Sequence, residues 1–192
     1  MICGIDEAGR GPLAGPVCAA AVILNDNFPL HLLNDSKKLT SIRRDEARQI
    51  IREKAAAWGI GWASHEEIDN INILQASLLA MKRAFEDLLQ RAASGKILPL
   101  GEISAVVDGK FIPDISIPCK AMVKADAQVP EVMAASILAK TERDIYMDGM
   151  AGLYPQYGYE KHKGYPTKSH REAVLKHGPS PIQRLSFKVK QD

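Results

Sequence analysis

Two short apolar runs near the N-terminus, residues 1–6 and 17–24, are joined by ten residues that cannot be helical. That connection, residues 7–16, has glycine at 9, 11 and 15 and proline at 12 and 16. Proline lacks a backbone donor and fixes φ, while glycine weakens any helix, so the segment punctuates rather than continues an element. Two strands joined by a constrained loop is the reading that satisfies both flanks. The first run ends on an acid, Asp6, with a second acid, Glu7, directly after it.

Further along, a polar loop at 35–40 leads into a helix over 42–57, where Ile42, Ala47, Ile50, Ile51 and Ala55 recur at helical spacing. Residues 58–64 read as a strand whose Trp58 and Trp62 share a face and pack. A second amphipathic helix covers 73–89, with Leu74, Leu78, Met81, Phe85 and Leu88 on one side. Residues 103–107 form a strand that again runs into an acid, Asp108, and 118–123 a further short strand followed by Asp126. A long helix over 130–147 opens on Pro130, where a missing N–H costs nothing. Ser169 and Glu172 have capping-box spacing ahead of a short helix that Gly178 and Pro179 stop. Alternating strands and helices predict one α/β domain over 1–150, with a helical C-terminal extension over 151–192.

Composition mainly excludes. No apolar run approaches the roughly 18 residues a membrane span needs. The N-terminus lacks the basic start and apolar core of a signal peptide. Cys3, Cys18 and Cys119 lie far apart with no C-x-x-C pair, as expected of reduced thiols in a cytoplasmic protein. The five histidines show no metal-ligand spacing and read as surface or packing residues. Glu66, Glu67 and Asp69 read as a solvated helix start, and Glu142 and Asp144 as exposed. Nothing suggests a helical dimer seam, so a monomer is expected.

The chemistry concentrates in acids at strand ends, where α/β sheets place their ligands. Asp6 and Asp108 each precede a glycine-containing turn, Glu7 adjoins Asp6, and Asp126 lies just before the long helix. Neighbouring strand residues face opposite ways, so Asp6 and Glu7 meet one ion only if the backbone breaks, and Gly9 and Gly11 supply that break. Four converging carboxylates repel unless cations neutralise them, and oxygen-only ligands select Mg²⁺ or Mn²⁺. Two such ions about 3.5–4 Å apart suit in-line phosphodiester cleavage. Any one of these acids alone is better explained as a turn residue or cap; the four together favour a metal site without naming a reaction. Gly9-Arg10-Gly11 adds a backbone that a ligand can approach and a side chain that can reach phosphate.

The net charge of +2 permits a polyanionic partner without demanding one, so its distribution decides. The basic stretch 43–54 reads as a solvated helix face. Lys37 and Lys38, and the loop 161–168 with Tyr159 and Tyr165, are better placed for backbone contacts and stacking. A non-catalytic nucleic-acid module would explain these clusters but not acids that repel phosphate. The spacing Gly4-Ile5-Asp6-x-x-Gly9 also resembles the phosphate loop of actin-like kinases, which need two such domains and more chain than 192 residues.

Several longer motifs, in order over nearly the whole chain, resemble bacterial type 2 ribonuclease H (ribonuclease HII). They are GIDEAGRGPLAGP at 4–16, DSKKL at 35–39, AASILAK at 134–140, KGYPT at 163–167 and the closing Ser186-Phe187. The resemblance implies a ribonuclease H-like fold, a five-stranded mixed sheet flanked by helices, with the C-terminal helices forming one groove wall. It implies hydrolysis of the RNA strand of RNA–DNA hybrids and cutting 5′ to ribonucleotides embedded in duplex DNA, leaving 3′-hydroxyl and 5′-phosphate ends. Asp6, Glu7, Asp108 and Asp126 match the family's acids for two divalent ions, Mn²⁺ or Mg²⁺. The Gly9-Arg10-Gly11 backbone would read the 2′-hydroxyl, Tyr165 would pack at the DNA–RNA junction, and Lys37 and Lys38 would contact phosphate. The sequence departs from the family pattern at Ala125, where many relatives have glycine, and at 182–185, which leaves Arg184 without an assigned role.

Overall fold

The computed structural model describes residues 1–33, 40–93 and 102–189. Five strands form one mixed sheet: β1 (Ile2–Ala8), β2 (Val17–Ile23), β3 (Ala57–Ala63), β4 (Ser104–Asp108) and β5 (Cys119–Met122), in the order β3-β2-β1-β4-β5. β1 pairs with β2 and β2 with β3 antiparallel, the first pair joined by the loop 9–16 and the second by the long connection 24–56. β1 pairs with β4 and β4 with β5 parallel, residues 109–118 joining the last two. The parallel half therefore brings the C-terminal ends of β1 and β4 side by side, and each carries an acid.

Both sheet faces are covered. Helix α2 (His65–Ala93) lies on one face, over Cys3, Ile5, Ala19, Ala21, Ala105 and Val107. Helices α1 (Ser41–Lys54) and α3 (Pro130–Leu153) lie on the other, over Ala20 and Val22. Strand alternation follows from this: Ile5 and Val107 face α2, so Asp6 and Asp108 face α3. Helix α2 is interrupted by a kink at Asn72 (φ 66°, ψ 164°), whose side chain accepts the Leu74 and Gln75 amides. The helix expected from residue 73 thus starts at its own cap, and a shorter helical piece precedes it.

Three expectations about charged residues change. Glu67 is held by Arg83 at 2.7 Å rather than solvated, and Asp69 accepts amides from the chain's far end. Glu142 takes Arg48 and Arg52 at 2.6 and 2.8 Å, and Asp144 takes Lys140 and Arg44, so neither is an exposed helix acid. Arg44, Arg48 and Arg52 of α1 are consequently turned onto α3 and partly buried, while Arg43 stays exposed. Periodicity could not reveal this, because the partners are about ninety residues apart.

The C-terminal segment packs on α3 through Tyr157, Tyr159 and Ile182 against Met147. It holds two short helices, α4 (Tyr159–His162) and α5 (Lys168–His177). α5 begins two residues earlier than the Ser169–Glu172 spacing suggests: Thr167 is the cap, its hydroxyl accepting the His170 amide. Among the described residues no helix is long and apolar enough to cross a membrane.

Candidate active site

Asp6 pairs with Ala20 across β1 and β2, and Asp108 is the last residue of the neighbouring β4. Asp126 sits on a single 3-10 turn, Ala125–Ala127, after β5. Each of the three offers a carboxylate oxygen within 4.8 Å of the others. One Asp108 oxygen accepts the Ala125 amide at 2.8 Å, tying the turn that carries Asp126 to the end of β4. The left-handed residue there is Lys124 (φ 59°), so Ala125 needs no glycine; it is buried against Val106 and Val132. Glycine is required instead at Gly4, where a Cβ would fall 2.1 Å from the Glu131 carbonyl carbon. The start of α3 rests directly on β1 for that reason, and Ser136 reaches Asp6 with a hydrogen bond.

The backbone does not break between Asp6 and Glu7. β1 stays paired through Ala8, with Glu7 opposite Ala19, and the departure comes at Gly9 (φ 100°). Asp6 and Glu7 therefore keep alternate directions. Glu7 lines the same cleft as the three aspartates but stands outside their 4.8 Å cluster. One of its oxygens takes Arg10 at 3.2 Å; the other, Oε2, is buried with no hydrogen-bond partner.

The electrostatics follow from that crowding. Asp6 is 5% exposed. Burial first, then the charges of Glu7 and Asp108, push its carboxyl well above the usual range. Burial and Asp108 also raise Glu7, against the opposing pull of Arg10. An orphaned buried carboxylate oxygen beside acids that raise one another is a donor set that a hard divalent cation completes, so the residues fit Mg²⁺ or Mn²⁺.

These side chains line a cleft of about 270 Å³, together with Gly9, Arg10, Gly11, Ser136, Lys140 and Tyr165. The Tyr165 ring lies over Gly11, where an added Cβ would meet its Cε1 at 3.6 Å. The Leu13 amide donates to the Gly164 carbonyl at 2.8 Å, joining the two loops. Tyr165 is 38% exposed, leaving ring surface open. Tyr159 has no such surface: it is fully buried, stacked on Tyr157 and hydrogen-bonded to Ser180, so the stacking expected of it is corrected to core packing. Lys37 and Lys38 lie outside the described residues.

The sequence profile of the ribonuclease HII family matches residues 3–190. The chain belongs to the ribonuclease HII family. Ribonuclease HII of Treponema denticola is 58% identical, with 99% of each chain covered. That of Dechloromonas aromatica is 52% identical over 97% of this chain and 90% of the relative. In three dimensions, RNase HII in the PCNA complex from Archaeoglobus fulgidus superposes with a TM-score of 0.74 at 25% identity, covering 100% of this chain and 98% of that one. Bst-RNase HIII in complex with Mn²⁺ reaches 0.77 at 18% identity, covering 97% and 66%, and shares the fold. As a ribonuclease HII family member the chain is a metal-dependent endoribonuclease, a hydrolase of the RNA strand of RNA–DNA hybrids.

Four residues of this ribonuclease HII site escaped the pattern of strand-end acids: Ser136, Lys140, Arg143 and Arg184. Ser136, Lys140 and Arg143 lie one turn apart on α3 and point at the cleft or the loop beside it. Their signal was available, since Ser136 is the one hydroxyl in the apolar run 132–139. Lys140 pairs with Asp144, and burial lowers its pKa. Arg184 carried no such signal, because its partners are backbone carbonyls about 170 residues away.

Proposed function

We propose that the chain cleaves the RNA strand of hybrids and cuts 5′ to ribonucleotides embedded in duplex DNA, leaving 3′-hydroxyl and 5′-phosphate ends. The observation that carries this reading is the juxtaposition of three aspartates within 4.8 Å with a Gly9-Arg10-Gly11 loop in one cleft. Asp6, Asp108 and Asp126 would hold divalent ions, with Glu7 completing the set from the opposite side of β1. When bound, a pair of such ions supplies an activated water and stabilises the departing 3′-oxygen.

The remaining work falls to the protein. Ser136 orients Asp6 by its hydrogen bond. Lys140 and Arg10 are the described cations lining the cleft, and each is held by an acid that a phosphate can displace. The backbone of Gly9 and Gly11 lines the cleft, so a ribose seated there is read at its 2′-hydroxyl, the group that separates RNA from DNA. Tyr165, across Gly11, packs on the next sugar at the DNA–RNA junction. The segment after residue 150 forms the facing wall, and Lys37 and Lys38 contact phosphate. The protein acts as a cytoplasmic monomer.

The test is cleavage of a labelled DNA duplex containing one ribonucleotide, with Mn²⁺ or Mg²⁺, beside an all-DNA duplex and an EDTA control. Metal-dependent cutting only 5′ to the ribonucleotide is the expected result. Tight duplex binding without cutting would defeat this reading in favour of a binding module. Tyr165→Ala is expected to harm single-ribonucleotide substrates more than long hybrids; equal losses would remove the junction role.

A further inference from the structure

The loop 9–16 has one isolated bridge, Ala14 to Gln183, and otherwise no strand or helix partner, so its carbonyls need donors from elsewhere. Arg184 supplies most of them. Its Nε donates to Gly15 at 2.8 Å, Nη1 to Arg10 and Pro12 at 3.1 and 2.8 Å, and Nη2 to Gly9 and Pro16 at 2.6 and 3.1 Å. Its own amide donates to Leu13 at 2.8 Å. Arg143 takes Ala14 and a second bond to Pro16, and reaches over to Lys163 in the Tyr165 loop at 3.0 Å. Both arginines are buried, Arg184 completely. With seven carbonyls of the loop fixed inward, Gly9, Arg10 and Gly11 are what the loop presents to the cleft.

Something must in turn fix Arg184, which lies in an irregular segment. The residues that follow it are pinned by Asp69. The Leu185 and Ser186 amides donate to the Asp69 carboxylate at 2.8 and 2.9 Å, and the Ser186 hydroxyl donates as well. Phe187 then lies 5.1 Å from the Arg184 guanidinium carbon. Asp69 belongs to the short helical piece before the Asn72 kink and does not line the cleft. Burial disfavours its charge, yet the Ser186 hydroxyl and the two amides hold its carboxyl below the usual range.

We propose that Asp69 and Arg184 are positioning residues for ribose recognition. Asp69 fixes the backbone at 185–186, and Arg184 thereby holds the 9–11 loop in the shape that admits a 2′-hydroxyl. The proposal rests on the assignment of ribose reading to that loop. It makes ribose selectivity depend on an acid outside the cleft, with its loss transmitted through carbonyl hydrogen bonds and not through the metal-binding acids.

Two readouts test it on the full chain. The first is amide hydrogen exchange of residues 9–16 without metal or substrate. Asp69→Ala is expected to accelerate it about tenfold while core amides of β1 and β2 are unchanged. The second is the ratio of dissociation constants for an all-DNA duplex and a single-ribonucleotide duplex, measured with Ca²⁺ so that neither is cut. Asp69→Ala is expected to reduce that ratio about fivefold with all-DNA affinity and Mn²⁺ affinity unchanged. Asp69→Asn, which retains an acceptor oxygen, restores part of the ratio, and Arg184→Lys, with fewer donors, lowers it further. If Asp69→Ala fails to fold, Ser186→Ala carries the same two measurements with a smaller shift. A wild-type ratio near one would overturn ribose reading by this loop. A wild-type ratio well above one that the Asp69 variants leave intact, or unchanged exchange at 9–16, would overturn the positioning role alone.

Discussion

Two groups of buried charge flank one cleft and are handled in opposite ways. Asp6, Asp108 and Asp126 approach within 4.8 Å, and adjacent Glu7 keeps a buried oxygen without a partner. Arg143 and Arg184 lie deeper, yet their guanidinium groups are met by carbonyls of the 9–16 loop and of Lys163. The acids are partly met within the chain, by Arg10, Ser136 and the Ala125 amide, and still leave a buried carboxylate oxygen for an ion; the guanidinium groups of the arginines are met by carbonyls of the chain. Burial of a charge is therefore a poor guide to function by itself. What separates a binding site from a structural one is whether the counterpart is already in the protein.

The largest test of that difference removes one member of each group. Asp6→Asn is expected to lower cleavage by about a thousandfold or more with either ion, since it removes a charge at the centre of the acid set. The same change relieves repulsion and burial cost, so the thermal midpoint of the metal-free protein should stay level or rise. Near-normal turnover with Mg²⁺ would sink the assignment. Arg184→Met should behave in the reverse sense. It leaves several buried carbonyls without donors, a loss of about 3–5 kcal/mol, read as a thermal midpoint lower by about 10 °C. A midpoint within a degree or two of wild type would show that water replaces the guanidinium, and the distinction between the groups would fail.

The same difference explains what was legible in the sequence. The alternation of strands and helices and the acids at strand ends follow from short-range patterns, because apolar runs and glycine-rich turns are local statements; the five-stranded mixed sheet came only with the family resemblance. Asp6 and Asp108 were legible for that reason, and the motifs at 4–16 and 163–167 named the family. The path of the backbone at Glu7 was not, since nothing local says that pairing to β2 persists through Ala8. Nor were Arg184 and Asp69. A buried arginine bound to carbonyls has no partner residue type to search for, and an acid holding two amides near the other end of the chain looks like a helix-start acid. Lys140 and Ser136 fall between: their polarity within an apolar helix run was visible, but their place in the cleft required the seating of α3 on Gly4.

Ligand binding gives the next largest effect and sharpens the comparison. If the acid set awaits a cation, Mn²⁺ at a hundred times its dissociation constant should stabilise the wild type by about 2.7 kcal/mol. For a chain of this length that is a midpoint higher by about 5–10 °C. Asp6→Asn should lose most of this gain, whereas Asp69→Ala should keep it, because the arginine set takes no ion. An equal Mn²⁺ shift in wild type and Asp6→Asn would place the metal elsewhere.

The smallest effect is the pH dependence of stability, where the acid set and the loop supports pull in opposite directions. Asp6 has its carboxyl raised by burial and by Glu7 and Asp108. In the metal-free protein the folded state thus holds a proton that the unfolded chain has released. The associated stability is present below the ordinary aspartate value of 3.8 and is lost as pH rises through the raised one. Behind Tyr165, His162 and His170 stack at 4.5 Å and hold the loop: the Gly164 amide donates to His162 Nδ1, and His170 Nδ1 donates to the Tyr165 carbonyl. Burial lowers both imidazole pKa values. Their contribution is present above the ordinary value of 6.5 and is lost as pH falls through the lowered ones, since protonated His162 can no longer accept the Gly164 amide. Urea midpoints measured in EDTA from pH 4 to 8 should separate the two. Asp6→Asn should flatten the decline as pH rises, and His162→Gln, which keeps an acceptor but does not titrate, should lessen the decline as pH falls below 6.5. If His162→Gln leaves the acid limb unchanged, the pair is already charged in the folded state and its hold on the Tyr165 loop has been misread.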